Sequence, residues 1–96
     1  MATQILAAGY AAANSSDQTV DVGGTAVVFL KPASGTVLHN ESHVYVAIKT
    51  SAGAYIRHDF LGAGKPTAVE IAGPVTFRVE RDLLPQAASC GVEIGS

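Results

Sequence analysis

The stretch 69–82 (VEIAGPVTFRVERD) constrains the fold more than any other part of the chain. Val75, Phe77 and Val79 alternate with polar residues, and a spacing of two places such side chains on one face of a β-strand. A helix would scatter the same three side chains around its circumference. Gly73-Pro74 interrupts the alternation, and proline, which has no amide donor, suits the start of a strand or a bend. The stretch therefore predicts two strands that meet at Gly73-Pro74.

The same pattern recurs along the chain and predicts an all-β protein. Apolar residues alternate, or run together between turn signals, in eight segments: 3–8, 18–22, 25–30, 43–49, 55–61, 67–72, 75–81 and 90–94. No segment has the spacing of an amphipathic helix. About seven or eight short strands at regular intervals predict one small antiparallel β-sandwich, Ig-like or jelly-roll-like, over residues 1–96. A small barrel is the alternative.

Alternation and turn residues also predict individual positions. Val20 and Val22 are expected on one face of a strand, and Gly23-Gly24 then predicts a hairpin to the strand at 25–30. Ile56 and Phe60 are expected on the core face of the strand at 55–61. The tripeptide at 80–82, Glu-Arg-Asp, is interpreted as a solvated strand end.

The charged fraction of the chain is low. Only 15 % of residues are Asp, Glu, Lys or Arg, whereas about a quarter is usual, and 48 % are hydrophobic. A surface with so few charges indicates that a partner covers part of it. The other interpretation is a small protein rich in Ala, Gly, Ser and Thr, and composition does not decide between them.

Two segments are the predicted partner contacts. Residues 1–14 form either an N-terminal arm that reaches onto a neighbouring protein or an edge strand of the same sandwich. The long irregular segment 31–42 offers a second surface, with part of it packed against the core. The predicted contact residues are Thr3, Gln4, Ile5, Leu6, Tyr10, Val37, Leu38 and His39.

The sequence gives no sign of catalysis or of a cofactor. His39, His43 and His58 are scattered, and with a single cysteine, Cys90, they do not make the ligand set of a structural zinc site. No nucleophile, acid–base pair or phosphate loop stands out. A net charge of -2 with scattered basic residues argues against nucleic-acid binding. No segment approaches the length of a membrane span, and the single cysteine favours folding in a reducing cytoplasm.

Several motifs together resemble those of a known family. They are the predicted hairpin SDQTVDVGGTAVVFL, the aromatic-bearing HVYVAIKTSAGAYI, the Gly-Pro step in AGPVTFRVER, and the terminal CGVEI. This pattern is similar to that of small β-sandwich structural proteins of tailed bacteriophages, some of which are head decoration (cement) proteins. The resemblance implies a non-enzymatic virion protein that folds in the host cytoplasm. It also implies assembly on the head surface, as a homo-oligomer, against the major capsid protein or neighbouring virion proteins.

Two other functions stay open at this stage. One is a tail or head–tail connector component that forms a ring. The other is an Ig-like or carbohydrate-binding module that recognises a cell surface. Sugars stack on exposed aromatic rings, and Tyr45 and Tyr55 are expected side by side on the solvent face of their strands.

Overall fold

The computed structural model describes residues 3–33 and 38–95. They form two antiparallel sheets packed face to face, which confirms the predicted β-sandwich. The only helical segment among them is one 3-10 turn, Gln86–Ala88. The strands are β1 (Thr3–Gly9), β2 (Ala13–Asn14), β3 (Gln18–Val20), β4 (Thr25–Pro32), β5 (His43–Lys49), β6 (Tyr55–Gly62), β7 (Ala68–Ala72), β8 (Val75–Arg81) and β9 (Cys90–Gly95).

The four-stranded sheet has the order β1-β9-β4-β7, and the five-stranded sheet has the order β2-β8-β5-β6. The short strands β2 and β3 pair with successive halves of β8, along the same edge. The chain passes from one sheet to the other between β7 and β8, at Gly73-Pro74, where the peptide bond is cis. The predicted break between two strands is thus a crossover between the two layers.

Alternation along β8 builds the centre of the core. Phe77 and Val79 have no exposed surface, as the sequence predicts, and they pack with fully buried residues of both sheets. Each such side chain contributes about 1.5–3 kcal/mol when it leaves water. The other fully buried apolar residues of this core include Val28, Val44, Val46, Leu61, Val92 and Cys90.

The predicted hairpin at Gly23-Gly24 is wrong. β3 ends at Val20 and pairs with β8, whereas β4 pairs with β7 and β9 in the other sheet. The turn therefore joins the two layers, and Gly23 takes a left-handed φ of 80° within it. Val22, expected beside the buried Val20, lies in the turn and is 81 % exposed.

A β-bulge corrects the predicted faces of β6. Val46 pairs with Asp59 and Ala47 pairs with Arg57, so His58 is the extra residue on β6. The bulge shifts the alternation by one position. Phe60 therefore lies on the outer face of the sheet rather than on the core face.

Arg81 is buried, which the interpretation of 80–82 as a solvated strand end did not anticipate. It continues the inward alternation of β8 and is 6 % exposed. Its Nε donates to the carbonyl of Ala11 (2.8 Å), and its Nη1 donates to those of Ala7 (2.8 Å) and Cys90 (2.7 Å). The guanidinium thus holds the segment between β1 and β2 where it crosses from one sheet to the other.

The N-terminal segment forms an edge strand of its own sandwich. β1 pairs with β9 through two irregular steps, one of which lies between Leu6 and Gly9. Gly91 faces this bulge closely, since a Cβ atom built there lies 2.6 Å from the Leu6 carbonyl oxygen and 2.8 Å from the Ala8 nitrogen. The approach of β1 therefore requires glycine at position 91.

Substitution at Gly91 tests this approach. Gly91→Ala is expected to lower the free energy of unfolding by about 1–3 kcal/mol, because two backbone atoms of β1 must move. Gly95→Ala on the same strand is the matched control, since its Cβ would lie 3.8 Å from the Phe29 ring, an ordinary contact. Urea denaturation measures both, and equal losses would contradict the packing described here.

Substitution at Arg81 tests the anchoring of the N-terminal segment. Arg81→Met keeps an apolar stem but leaves three carbonyl groups without their donor, and is expected to cost about 3 kcal/mol of unfolding free energy. Lys31→Met is the control, because the Lys31–Glu93 ion pair (3.0 Å) is on the surface and contributes less than about 1 kcal/mol. Equal costs in urea denaturation would show that the Arg81 bonds do not hold the segment.

Candidate functional site

The outer face of the five-stranded sheet carries the largest organised group of polar and aromatic side chains among the described residues. We call it the aromatic–arginine face. Strands β5, β6 and β8 supply most of it through their outward positions, and the loop before β3 supplies one carboxylate. Its residues are Asp17, His43, Tyr45, Lys49, Tyr55, Arg57, Phe60, Arg78, Glu80 and Asp82.

Three of the aromatic side chains of this face form a cluster of rings in contact. Tyr45 and Phe60 are cross-strand partners, with ring centroids 5.1 Å apart in an edge-to-face arrangement. His43 stacks on Phe60 at 5.4 Å and meets Tyr45 edge-on at 5.9 Å. These distances are typical of favourable aromatic pairs. Phe60 nevertheless keeps 38 % of its surface exposed.

Two arginines share one carboxylate at the centre of the face. Arg57 and Arg78 each donate to Glu80 at 2.9 Å, and Arg57 also pairs with Asp82 at 2.9 Å. The Arg57 Cζ lies 4.1 Å from the centroid of the Tyr45 ring. Glu80 therefore links the arginine next to Tyr45 to a second arginine.

The second arginine continues the network to Tyr55. The Arg78 Cζ lies 3.6 Å from the centroid of the Tyr55 ring, which is a close cation–π contact. The Tyr55 hydroxyl donates to Asp17 at 2.7 Å, and the Lys49 ammonium donates to the same carboxylate at 3.1 Å. Tyr45 and Tyr55 are not side by side as expected, because Tyr45 pairs with Phe60 whereas Tyr55 pairs with Lys49, four residues farther along β5. They are connected instead through two guanidinium groups and Glu80.

Ala47 shows how completely the arginine side chains cover the sheet. Its cross-strand partners are Arg57 on β6 and Arg78 on β8, so its side chain belongs to the outer face. It is nevertheless fully buried. The aliphatic stems of the long neighbouring side chains can cover such a small residue while their charged ends stay in water. The face is therefore a packed layer.

Charge pairing sets the ionisation of this layer. Burial disfavours the charged form of Glu80, but hydrogen bonds from Arg57 and Arg78 outweigh it and hold the pKa of Glu80 below its ordinary value. The Arg57 hydrogen bond lowers the pKa of Asp82, and that of Tyr55 lowers the pKa of Asp17. The carboxylates are therefore charged at neutral pH, and three acids balance three bases.

The predicted contact residues of β1 differ in accessibility. Thr3 and Gln4 are exposed on the edge strand, Ile5 is half-buried, and Leu6 belongs to the core. Tyr10, which follows β1, is exposed, and its carbonyl accepts from the Leu84 amide at 2.8 Å.

The second predicted contact segment is described only in part. Val37 lies outside the described residues, and Leu38 packs against the core, as expected of part of this loop. His39 is half-buried, and its Nδ1 accepts from the Glu41 amide at 3.1 Å. The segment leads directly into His43, so it borders the aromatic–arginine face along the chain.

Strand ends divide the predicted contact residues between two ends of the sandwich. Thr3 pairs with Ile94, whereas Gly9, next to Tyr10, pairs with Cys90 at the other end of β9. The loop that contains His39 is at the Cys90 end, where the Ser42 hydroxyl donates to the Ala88 carbonyl at 2.8 Å. Tyr10 and His39 therefore share one end of the molecule, and Thr3 lies at the opposite end.

Other candidate groups are placed as follows. Cys90 is buried, and burial raises the pKa of its thiol, which leaves it protonated and unreactive at neutral pH. Among the described residues, no three or more His, Cys, Asp or Glu side chains form a group that could hold a metal ion. Within 3–33 and 38–95, no helix has the length and apolar character to cross a membrane.

Comparisons with protein-family models, with curated proteins and with solved structures return no match to this chain. The function of the chain is therefore inferred from its geometry. The aromatic–arginine face offers apolar rings, fixed guanidinium groups and fixed carboxylates on an open sheet. Such an arrangement can bind a partner surface.

The shared carboxylate gives a prediction about pH. Because the pKa of Glu80 is lowered on folding, its contribution to stability is present above the unfolded value, near 4.5, and is lost as the pH falls through the folded value. Glu80→Gln is expected to lower the free energy of unfolding by about 1 kcal/mol at neutral pH. The difference from wild type should vanish in acid.

Urea denaturation over a series of pH values measures this difference. Glu41→Gln is the matched control, because Glu41 is exposed and forms no ion pair with a Lys or Arg in the described part of the chain. A pH-independent effect of Glu80→Gln would contradict a role for its charge.

Proposed function

We propose that this chain is a non-enzymatic structural protein of a virion, and specifically a decoration (cement) protein of a bacteriophage head. In this proposal the aromatic–arginine face docks on the major capsid protein. The observation that carries it is the layer in which Arg57 and Arg78 contact Tyr45 and Tyr55 and share Glu80. The resemblance to phage β-sandwich proteins supplies the setting.

The residue types of this face support a protein partner. Tyr, Phe and Arg are enriched in protein interfaces, and Tyr and Arg are frequent among the residues that dominate binding energy. Here two tyrosines, one phenylalanine and two arginines occupy one side of a single sheet. Lys49 is the one lysine among them. The face therefore resembles the centre of an interface more than an ordinary solvated surface.

The fixed geometry of the face supports the same function. Ordering long side chains on binding costs about 0.5–1.5 kcal/mol for each. Arg57 and Arg78 are already held by Glu80, and Tyr55 is held by Asp17. The entropic cost of ordering these side chains when a partner docks is therefore smaller.

The tyrosine rings are less suited to binding carbohydrate. A sugar ring stacks on an open aromatic face. The guanidinium groups of Arg57 and Arg78 lie 4.1 Å and 3.6 Å from the centroids of the Tyr45 and Tyr55 rings, so each ring has a face that is already in contact. The arrangement therefore favours a protein surface over a glycan.

A decoration protein stabilises a shell by adding buried interface between capsomers, which resists internal pressure. Contacts between copies of the chain are proposed on the accessible predicted residues, namely the exposed Thr3 and Gln4 on the β1 edge, and the exposed Tyr10 and half-buried His39 at the Cys90 end. A strand edge and an end of the sandwich are left accessible when the aromatic–arginine face is docked.

Cosedimentation with empty heads tests the proposal. Heads of the encoding phage, prepared without this protein, are mixed with the purified chain and pelleted. Wild type is expected to bind, and Phe60→Ala is expected to weaken binding about tenfold or more, because it removes an exposed aromatic ring from the docking face.

Val27→Ala is the matched control for this experiment. Val27 is 39 % exposed, close to the 38 % of Phe60, but lies on the outer face of the other sheet. It is expected to bind as wild type does. A monomer that ignores the heads, or a Val27→Ala loss as large as that of Phe60→Ala, would overturn the proposal. Binding to isolated tails or connectors in ring stoichiometry would favour the connector function instead.

A further inference from the structure

A cleft opens along one side of the sandwich, between the edge strands of the two sheets. β6 is the edge of the five-stranded sheet, β7 is the edge of the four-stranded sheet, and they lie next to each other. The cleft has a volume of about 370 Å³. Its lining includes Ile48, His58, Asp59, Glu70, Ile71 and Val75.

The floor of the cleft is formed by apolar residues that belong to the core or pack against it. Ile71 is a core residue, and Ile48 and Val75 are partly buried residues packed against it. Ile56 pairs with Ile48 across β5 and β6, so its side chain is on the same inner face. It is nevertheless 59 % exposed. An inward-facing isoleucine left mostly in water, next to a cleft, indicates apolar surface available to a partner.

The rim of the cleft is acidic. Asp59 on β6 and Glu70 on β7 line it from the two sheets. In the described part of the chain neither forms an ion pair with Lys or Arg, and Asp59 has only the His58 Nδ1 at 3.5 Å. By contrast, Asp17, Glu80, Asp82 and Glu93 are each paired with a Lys or Arg.

We propose that this cleft binds a segment of a partner protein in which apolar side chains flank a Lys or Arg. The apolar side chains would cover the floor and Ile56, and the cation would meet Asp59 and Glu70. Charge complementarity selects the basic residue, since two carboxylates without a Lys or Arg partner favour a cationic one. The inference is independent of docking through the aromatic–arginine face, which is on the outer side of the five-stranded sheet.

Side chains of the partner segment, rather than a continuous backbone ladder, make this contact. Strand addition needs a regular row of free backbone groups along an edge. The bulge at His58 interrupts that row on β6. Specificity is therefore expected to follow the side chains of the segment.

Amide chemical shifts of the labelled full-length chain test the proposal. The probes are three blocked pentapeptides: VKIRV, its acidic counterpart VEIEV, and GKGRG, which keeps the charges without the apolar side chains. VKIRV is expected to shift the amides of Ile48, Asp59 and Ile71, whereas the other two leave them unchanged. No response to VKIRV, or an equal response to VEIEV or GKGRG, would overturn the proposal.

Variants test the rim residues in the same titration. Asp59→Asn and Glu70→Gln are each expected to weaken VKIRV binding about two- to fivefold, and Glu41→Gln, an exposed acid away from the cleft, is expected to leave it unchanged. Glu70 is exposed, so Glu70→Gln keeps the test valid if Asp59→Asn disturbs folding. Equal weakening by Glu41→Gln would show that binding of VKIRV depends only on the net charge of the chain, and would overturn the proposal. Phe60→Ala should bind VKIRV as wild type does, which separates this site from the docking face.

Discussion

The alternation of side chains along β8 is the constraint on which the rest of the structure depends. Its inward residues, Phe77, Val79 and Arg81, build the core and hold the N-terminal crossing through three carbonyl groups. Its outward residues, Arg78 and Glu80, organise the aromatic–arginine face. A shift of β8 by one position would exchange these two sets and destroy both the core and the face. One strand thus contributes both to the stability of the fold and to the surface that we propose docks on a partner.

A domain of this size is suited to bind partners on its outer surfaces. In 96 residues the two sheets leave one modest core, which side chains fill. The places left for recognition are the outer faces, the ends and the edges of the sheets. The aromatic–arginine face is a packed layer that can dock without much ordering, whereas the cleft between β6 and β7 exposes part of the core. The two surfaces are on different sides and suit different partners, one a broad surface and the other a single segment.

The sequence predicts the strands and much of the core because a period of two is a local signal. Gly73-Pro74 is a boundary for the same reason. The prediction from sequence fails where the pairing of strands decides the structure. The bulge at His58 moves Phe60 to the outer face, and the turn at Gly23 is a crossover because β3 and β4 belong to different sheets. Arg81 could have been found, since it continues the alternation of β8, but its charge suggested solvent. The arginine network on Glu80 could not have been found from the sequence, because it depends on the register of three strands.

We propose the aromatic–arginine face as a docking surface on a viral head. Electron cryomicroscopy of the purified virion, at a resolution that orients a β-sandwich of this size, tests it most directly. We expect the chain on the outside of the head shell with the outer face of β5, β6 and β8 turned toward the capsid protein. A particle in which the chain lies elsewhere, or in which that face is turned to solvent, would contradict this account.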